Sequence, residues 1–89
     1  MGVKVVNVKE VFYTEAATTK TYEKTKNWQG VVSQFDISNI GAAPLTIEIN
    51  DDGVTRTLLS LNSKGWTYKN EIVKIVVTAT DNFELLLRG

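Results

Sequence analysis

The stretch that decides the fold is "NIGAAPLTIEINDDGV", residues 39–54. From Leu45 it alternates. Leu45, Ile47 and Ile49 fall on one side, and Thr46, Glu48 and Asn50 fall on the other. A period of two marks a strand with one buried and one solvated face. Pro44 opens it, where a missing backbone N–H removes no ladder hydrogen bond. Asn50, Asp51, Asp52 and Gly53 supply Asn/Asp-Gly turn chemistry, with Gly53 free to take a positive φ. Val54 to Leu61 then returns as a second strand. Loop, strand, turn and strand make one hairpin of a β-meander.

Outward from there the pattern repeats. Gly30 to Ile40 places Val31, Ser33, Phe35 and Ile37 on one face, with Gln34, Asp36 and Ser38 on the other. "LNSKGW", residues 61–66, reads as a turn, and Trp66 to Tyr68 opens the next strand. Glu71 to Ala79 carries Val73, Ile75 and Val77 on one face. "FELLLR", residues 83–88, is the last strand. Its three consecutive leucines give both faces something apolar to meet, as in a central strand covered on two sides or a subunit interface. Val3 to Thr14 predicts a long first strand. Val3 and Val5 share one face and Val6, Val8 and Phe12 the other, so a bulge or a change of sheet partner is expected along it. Residues 15–25, "EAATTKTYEKT", form either an edge strand around Tyr22 or a mobile loop, since threonine disfavours a helix. Turn glycines at 30, 41, 53 and 65 recur about every 12 residues. The expectation is one all-β domain over residues 1–89. It is an antiparallel β-sandwich, Ig-like or jelly-roll-like, of about seven or eight strands. Its core centres on Phe35, Ile37, Leu45, Ile47, Ile49, Leu58, Val73, Ile75, Val77 and Leu85.

Composition removes most chemistry. The chain has 89 residues, of which 43% are hydrophobic, enough for one core. It has no Cys and no His. Thiolate and imidazole catalysis, Cys–His metal sites and a Ser-His-Asp triad are therefore excluded. Ten basic residues balance ten acidic ones. A phosphate-binding protein carries a basic excess, so no nucleic-acid partner is expected. No apolar run approaches the ~20 residues that span a bilayer, and no signal peptide is visible at the N-terminus. No glycine stretch matches a phosphate-binding or dinucleotide loop, so no cofactor is expected. Asp51 and Asp52 are turn formers before they are a catalytic pair. With Asn50 they also offer hard oxygen ligands to a cation such as calcium, though without the longer ligand series of an EF-hand.

The aromatic residues leave two readings open. Tyr22, Trp28 and Trp66 are candidate stacking platforms for a sugar, which would make this a carbohydrate-binding module. Alternatively the tryptophans cap the core, with the indole N–H bonded to a loop carbonyl. Trp28 or Tyr13 could also anchor a protein interface. Val6, Val8, Tyr13 and Leu86 are the candidate interface residues. Sheet edges carry unpaired backbone groups, and zero net charge provides no long-range repulsion between copies. A homo-oligomer of closed symmetry is therefore expected.

"FDISNIGAAPLTIEI", residues 35–49, resembles a recurrent segment of Ig-like sandwich modules. A longer resemblance runs from Phe35 to Gly89, through the Asn-x-Gly loop, "PLTIEI", the Asp-Gly turn, "TLLSLNSKGWTY", "IVKIVVTAT" and "FELLLRG". It is similar to small structural proteins of bacteriophage virions, such as head decoration, tail or baseplate components. That resemblance implies assembly without catalysis, other virion proteins as partners, and a place in a virion assembled in the host cytoplasm.

Overall fold

The structure is a computed structural model that describes residues 11–15 and 18–88, with side chains from residue 19 onward. The described residues form eight strands and no helix. They are β1 (Val11–Glu15), β2 (Thr18–Glu23), β3 (Val32–Asn39), β4 (Leu45–Ile49), β5 (Arg56–Leu58), β6 (Ser63–Ile72), β7 (Lys74–Ala79) and β8 (Phe83–Arg88). They make two four-stranded sheets, ordered β1-β8-β3-β6 and β2-β7-β4-β5, and every pairing is antiparallel.

The pairing has a simple logic. β1 pairs with β8, β2 with β7, β3 with β6 and β4 with β5. The chain is thus one long hairpin with its tip at β4–β5, folded so that successive steps fall alternately in the two sheets. The pairs β3–β8 and β4–β7 then knit the folded ribbon together. In an Ig-like sandwich the first two strands are neighbours in one sheet. Here they lie in different sheets, and the arrangement is that of a jelly roll.

The core lies between the sheets. β4 buries Leu45, Ile47 and Ile49, while Thr46 and Glu48 are half-buried on the outer face. β8 buries Phe83, Leu85 and Leu87 and turns Leu86 outward. β8 is indeed an interior strand, flanked by β1 and β3. Each fully buried Leu, Ile or Phe contributes ~1.5–3 kcal/mol, so these alternating faces hold the sandwich together. The 18–23 segment is a strand, β2, at the edge of its sheet.

Four expectations are corrected. Val73 is 44% exposed and not in the core. The run "IVKIVV" is two strands: Ile72 ends β6 in one sheet, Lys74 begins β7 in the other, and Val73 is the corner between them. Burial shifts from Ile72 to Ile75, Val77 and Ala79 across that corner. In β3 the buried residue is Val32 and not Val31. Between the pairs Val32–Ile72 and Gln34–Thr67, Ser33 stands against Tyr68, Lys69, Asn70 and Glu71. This bulge moves the inward face by one residue. "LNSKGW" is not the turn: Ser63 to Trp66 are already strand, and the reversal lies at residues 59–62, closed by Asn62 N–H to Leu59 C=O. The β5 strand is only Arg56–Leu58, much shorter than Val54 to Leu61. Of the long first strand, β1 begins at Val11, and residues 3–10 lie outside the described residues.

The β4–β5 reversal uses Asn50 and Asp51 at φ 54° and 53°, with Asp52 N–H donating to Ile49 C=O at 3.0 Å. Two successive positive φ values are what a type I′ turn needs, and Asn and Asp tolerate them best after Gly. Gly53 follows at φ 75°.

Candidate functional site

The jelly roll gathers its loops at two ends, and the ends differ in chemistry. At the first, the β4–β5 turn meets the β6–β7 corner. Asn50 joins them: its Oδ1 accepts from Val73 N–H (2.8 Å) and Lys74 N–H (3.0 Å), and its Nδ2 donates to Glu71 C=O (2.9 Å). Lys74 pairs with Asp51 at 3.1 Å, and this carboxylate raises the ammonium pKa. Asp52 binds Arg56 at 2.9 Å and accepts from Val54 N–H at 3.0 Å. These bonds, that of Arg56 first, hold the Asp52 pKa at about 2. The Tyr68 hydroxyl donates to the same carboxylate at 3.2 Å, and the Arg56 guanidinium lies 5.9 Å from the Tyr68 ring centroid. Partial desolvation, then Asp52, raises the Tyr68 pKa. Lys24–Glu71 and Lys26–Glu23 complete the pairs at this end.

That arrangement answers the cation question for Asn50, Asp51 and Asp52. Their oxygens are aimed at Lys74, at Arg56 with Tyr68, and at backbone N–H groups, and do not converge. Among the described residues no three acidic side chains cluster as a metal site.

The stacking platforms are corrected as well. Tyr22 and Trp28 are 3% and 4% exposed, so neither presents a ring to a sugar. Trp28 does cap the core. Its indole N–H, however, finds no acceptor among the described residues, so the expected loop carbonyl is not there. Trp66 is half-buried and stacks on Phe35, with centroids 5.6 Å apart and an interplanar angle of 28°. The Lys64 ammonium lies 5.1 Å from the Trp66 ring centroid. Of the interface candidates, Leu86 is half-buried on the outer face, opposite Asp36, which pairs with Arg88. Tyr13 stands opposite Leu85 in the β1–β8 ladder. Val6 and Val8 lie outside the described residues.

The second end was not visible as a site in the sequence. Here the loops 40–44, 59–62 and 80–82 meet. Asn39 is the clamp and is buried. Its Nδ2 donates to Ala43 C=O (2.8 Å) and Leu58 C=O (3.2 Å), its Oδ1 accepts from Gly41 N–H (3.0 Å), and its own N–H donates to Asn62 C=O (2.9 Å). Ser60 Oγ donates to Gly41 C=O at 2.7 Å, and Ala42 N–H donates to Asp81 at 3.3 Å. Gly41 has to be glycine: a Cβ there would sit 2.2 Å from the Asp81 Cβ. On this fixed platform three large apolar side chains face solvent. Leu61 is 78% exposed, Leu59 58% and Ile40 46%. Leu61 also has φ 61°, the left-handed region that a leucine enters only at a cost of ~1–2 kcal/mol. The available signal was the run "LLSL" at 58–61, more apolar side chains than a three-residue strand can bury.

No protein-family model, curated protein or solved structure matches the chain.

Proposed function

We propose that this chain is a structural module that assembles with copies of itself through protein–protein contacts and performs no catalysis. The observation that carries this reading is Leu61. A large apolar side chain is held in a strained backbone conformation, almost fully in water, at the same end of the sandwich as Leu59 and Ile40. Within one copy the left-handed backbone closes the 59–62 turn, but a leucine at that position and its exposure gain nothing. Strained, exposed residues on a rigid frame are a mark of sites that act on something else. Zero net charge is consistent with close approach of identical chains. The setting in a phage or phage-like particle, with other virion proteins as partners, rests on the resemblance over residues 35–89. Jelly rolls serve both capsid and lectin domains, so the fold alone does not choose between them. The buried Tyr22 and Trp28 leave a lectin-like reading with Trp66 alone of its three platforms.

Sedimentation equilibrium from micromolar to near-millimolar concentration tests the reading. A mass that climbs from 9.9 kDa toward a defined oligomer is expected. A monomer throughout contradicts self-assembly of the chain.

A further inference from the structure

We propose that two copies meet end to end, each presenting Ile40, Leu59 and Leu61 to the other about a two-fold axis. This names the surface and the symmetry of the assembly read above, and it rests on that reading.

The two ends of the sandwich contrast in charge. The loops 40–44, 59–62 and 80–82 contain a single charged residue, Asp81. The other end holds the pairs Lys24–Glu71, Lys26–Glu23, Arg56–Asp52 and Lys74–Asp51. Val31, Val54 and Val73 are exposed there too, but among those charges. Docking the apolar end of one copy on the charged end of another would strip water from ion pairs and return nothing. Apolar end against apolar end removes hydrocarbon from water on both sides. Such a contact is isologous and closes at two copies.

The apolar end is also rigid. The Asn39, Ser60 and Asp81 hydrogen bonds fix all three loops before any partner arrives. A preorganised surface loses little conformational freedom on binding.

Two of the four sheet edges, β6 and β5, are rival contacts on one side of the sandwich, and the other two are β1 and β2. β6 is the longest of the described strands and lies at an edge. It is blunted by Lys64, Lys69 and the bulge at Tyr68–Glu71, devices that discourage edge-to-edge pairing. β5, the edge on the same side of the other sheet, is only three residues long. The loops 40–44 and 59–62 carry no charged side chain, and Lys64 of β6 stands two residues beyond them.

Size sets the strength. Three aliphatic side chains cover well under the ~800 Å² per partner of a standard stable interface. The dimer of the isolated chain is therefore weak, and it gains strength where many copies are held together.

The chain has no cysteine, so single-cysteine crosslinking reads the contact cleanly. Leu61→Cys and Leu59→Cys place a small apolar thiol on the proposed contact, and Lys26→Cys places one at the charged end. Each is oxidised at high micromolar concentration, alone and mixed, after its melting midpoint is checked. The two apolar-end variants, singly or mixed with each other, are expected to form disulfide dimers at least ~10-fold faster than Lys26→Cys alone, with mixed products between either of them and Lys26→Cys no faster than Lys26→Cys alone. Fast mixed products between Leu61→Cys and Lys26→Cys would mean head-to-tail packing and overturn the proposal. Wild-type assembly with no preferred crosslink at residues 59 or 61 would overturn the end-to-end contact and leave the assembly reading standing. A wild-type chain that stays monomeric to about 1 mM would overturn both.

Discussion

The Tyr68 hydroxyl donates a hydrogen bond of 3.2 Å to Asp52 Oδ2, and in doing so joins the two sheets across their open side. Tyr68 belongs to β6, the edge of one sheet, and Asp52 precedes β5, the edge of the other. The bulge that sets Tyr68–Glu71 against Ser33 places Tyr68 in the stretch that makes this bridge. Arg56 completes the link from the β5 side.

The bridge predicts an acid dependence. Asp52 has a folded pKa of about 2, below its ordinary value of 3.8. A depressed carboxylate stabilises the fold above its unfolded pKa, and that contribution is lost as pH falls through the folded pKa. Asp52→Asn should therefore be less stable than wild type at neutral pH, with the gap closing between pH 4 and pH 2. Urea midpoints measured across that range check this. A gap that stays constant down to pH 2 would show that the Asp52 charge is not the source.

The sheet change at Val73 predicts opposite outcomes two residues apart. Ile75 is fully buried, so Ile75→Ala should cost ~3 kcal/mol or more. Val73 is exposed at the corner, so Val73→Ala should stay within ~0.5 kcal/mol of wild type. Denaturant unfolding of both variants gives the comparison. Equal losses would restore a single strand through residues 71–79.

Asn39 predicts a local polar defect. Asn39→Ala removes the partners of Gly41 N–H, Ala43 C=O and Leu58 C=O in a buried setting. Leaving buried polar groups unmade costs ~1–3 kcal/mol each where water cannot replace the bond. A thermal midpoint several degrees lower is expected, together with faster amide hydrogen exchange at Gly41. An unchanged midpoint would mean that the platform does not depend on this side chain.

These residues also show what the sequence could reveal. Leu45, Ile47 and Ile49 were legible because β4 is regular and one face is buried throughout. Val32 was hidden because the face shift comes from a bulge, and a bulge is a relation between two strands. Val73 was hidden because its corner is set by backbone N–H groups donating to Asn50 Oδ1, far along the chain, within a β-branched run that reads as continuous. The jelly-roll pairing depends on which sheet each strand joins, and alternation within a strand carries no such information. Leu59 and Leu61 were read as strand and turn, since nothing local marks Leu61 as left-handed. Trp28 was open between platform and cap, and burial in the assembled core decided for the cap; Tyr22, read as a platform, is buried as well.

Leu61→Gly separates folding from association most directly, and measuring both on this one variant is the decisive test. Relief of left-handed strain, ~1–2 kcal/mol, is set against the ~0.5–1 kcal/mol by which glycine favours the unfolded chain. Stability should therefore match wild type or exceed it slightly. Association should weaken by ~100-fold or more, because the side chain is lost from both copies of a two-fold contact, at ~1.5 kcal/mol or more each. A Leu61→Gly protein that melts well below wild type, or that assembles as tightly, would contradict a leucine held out for a second copy.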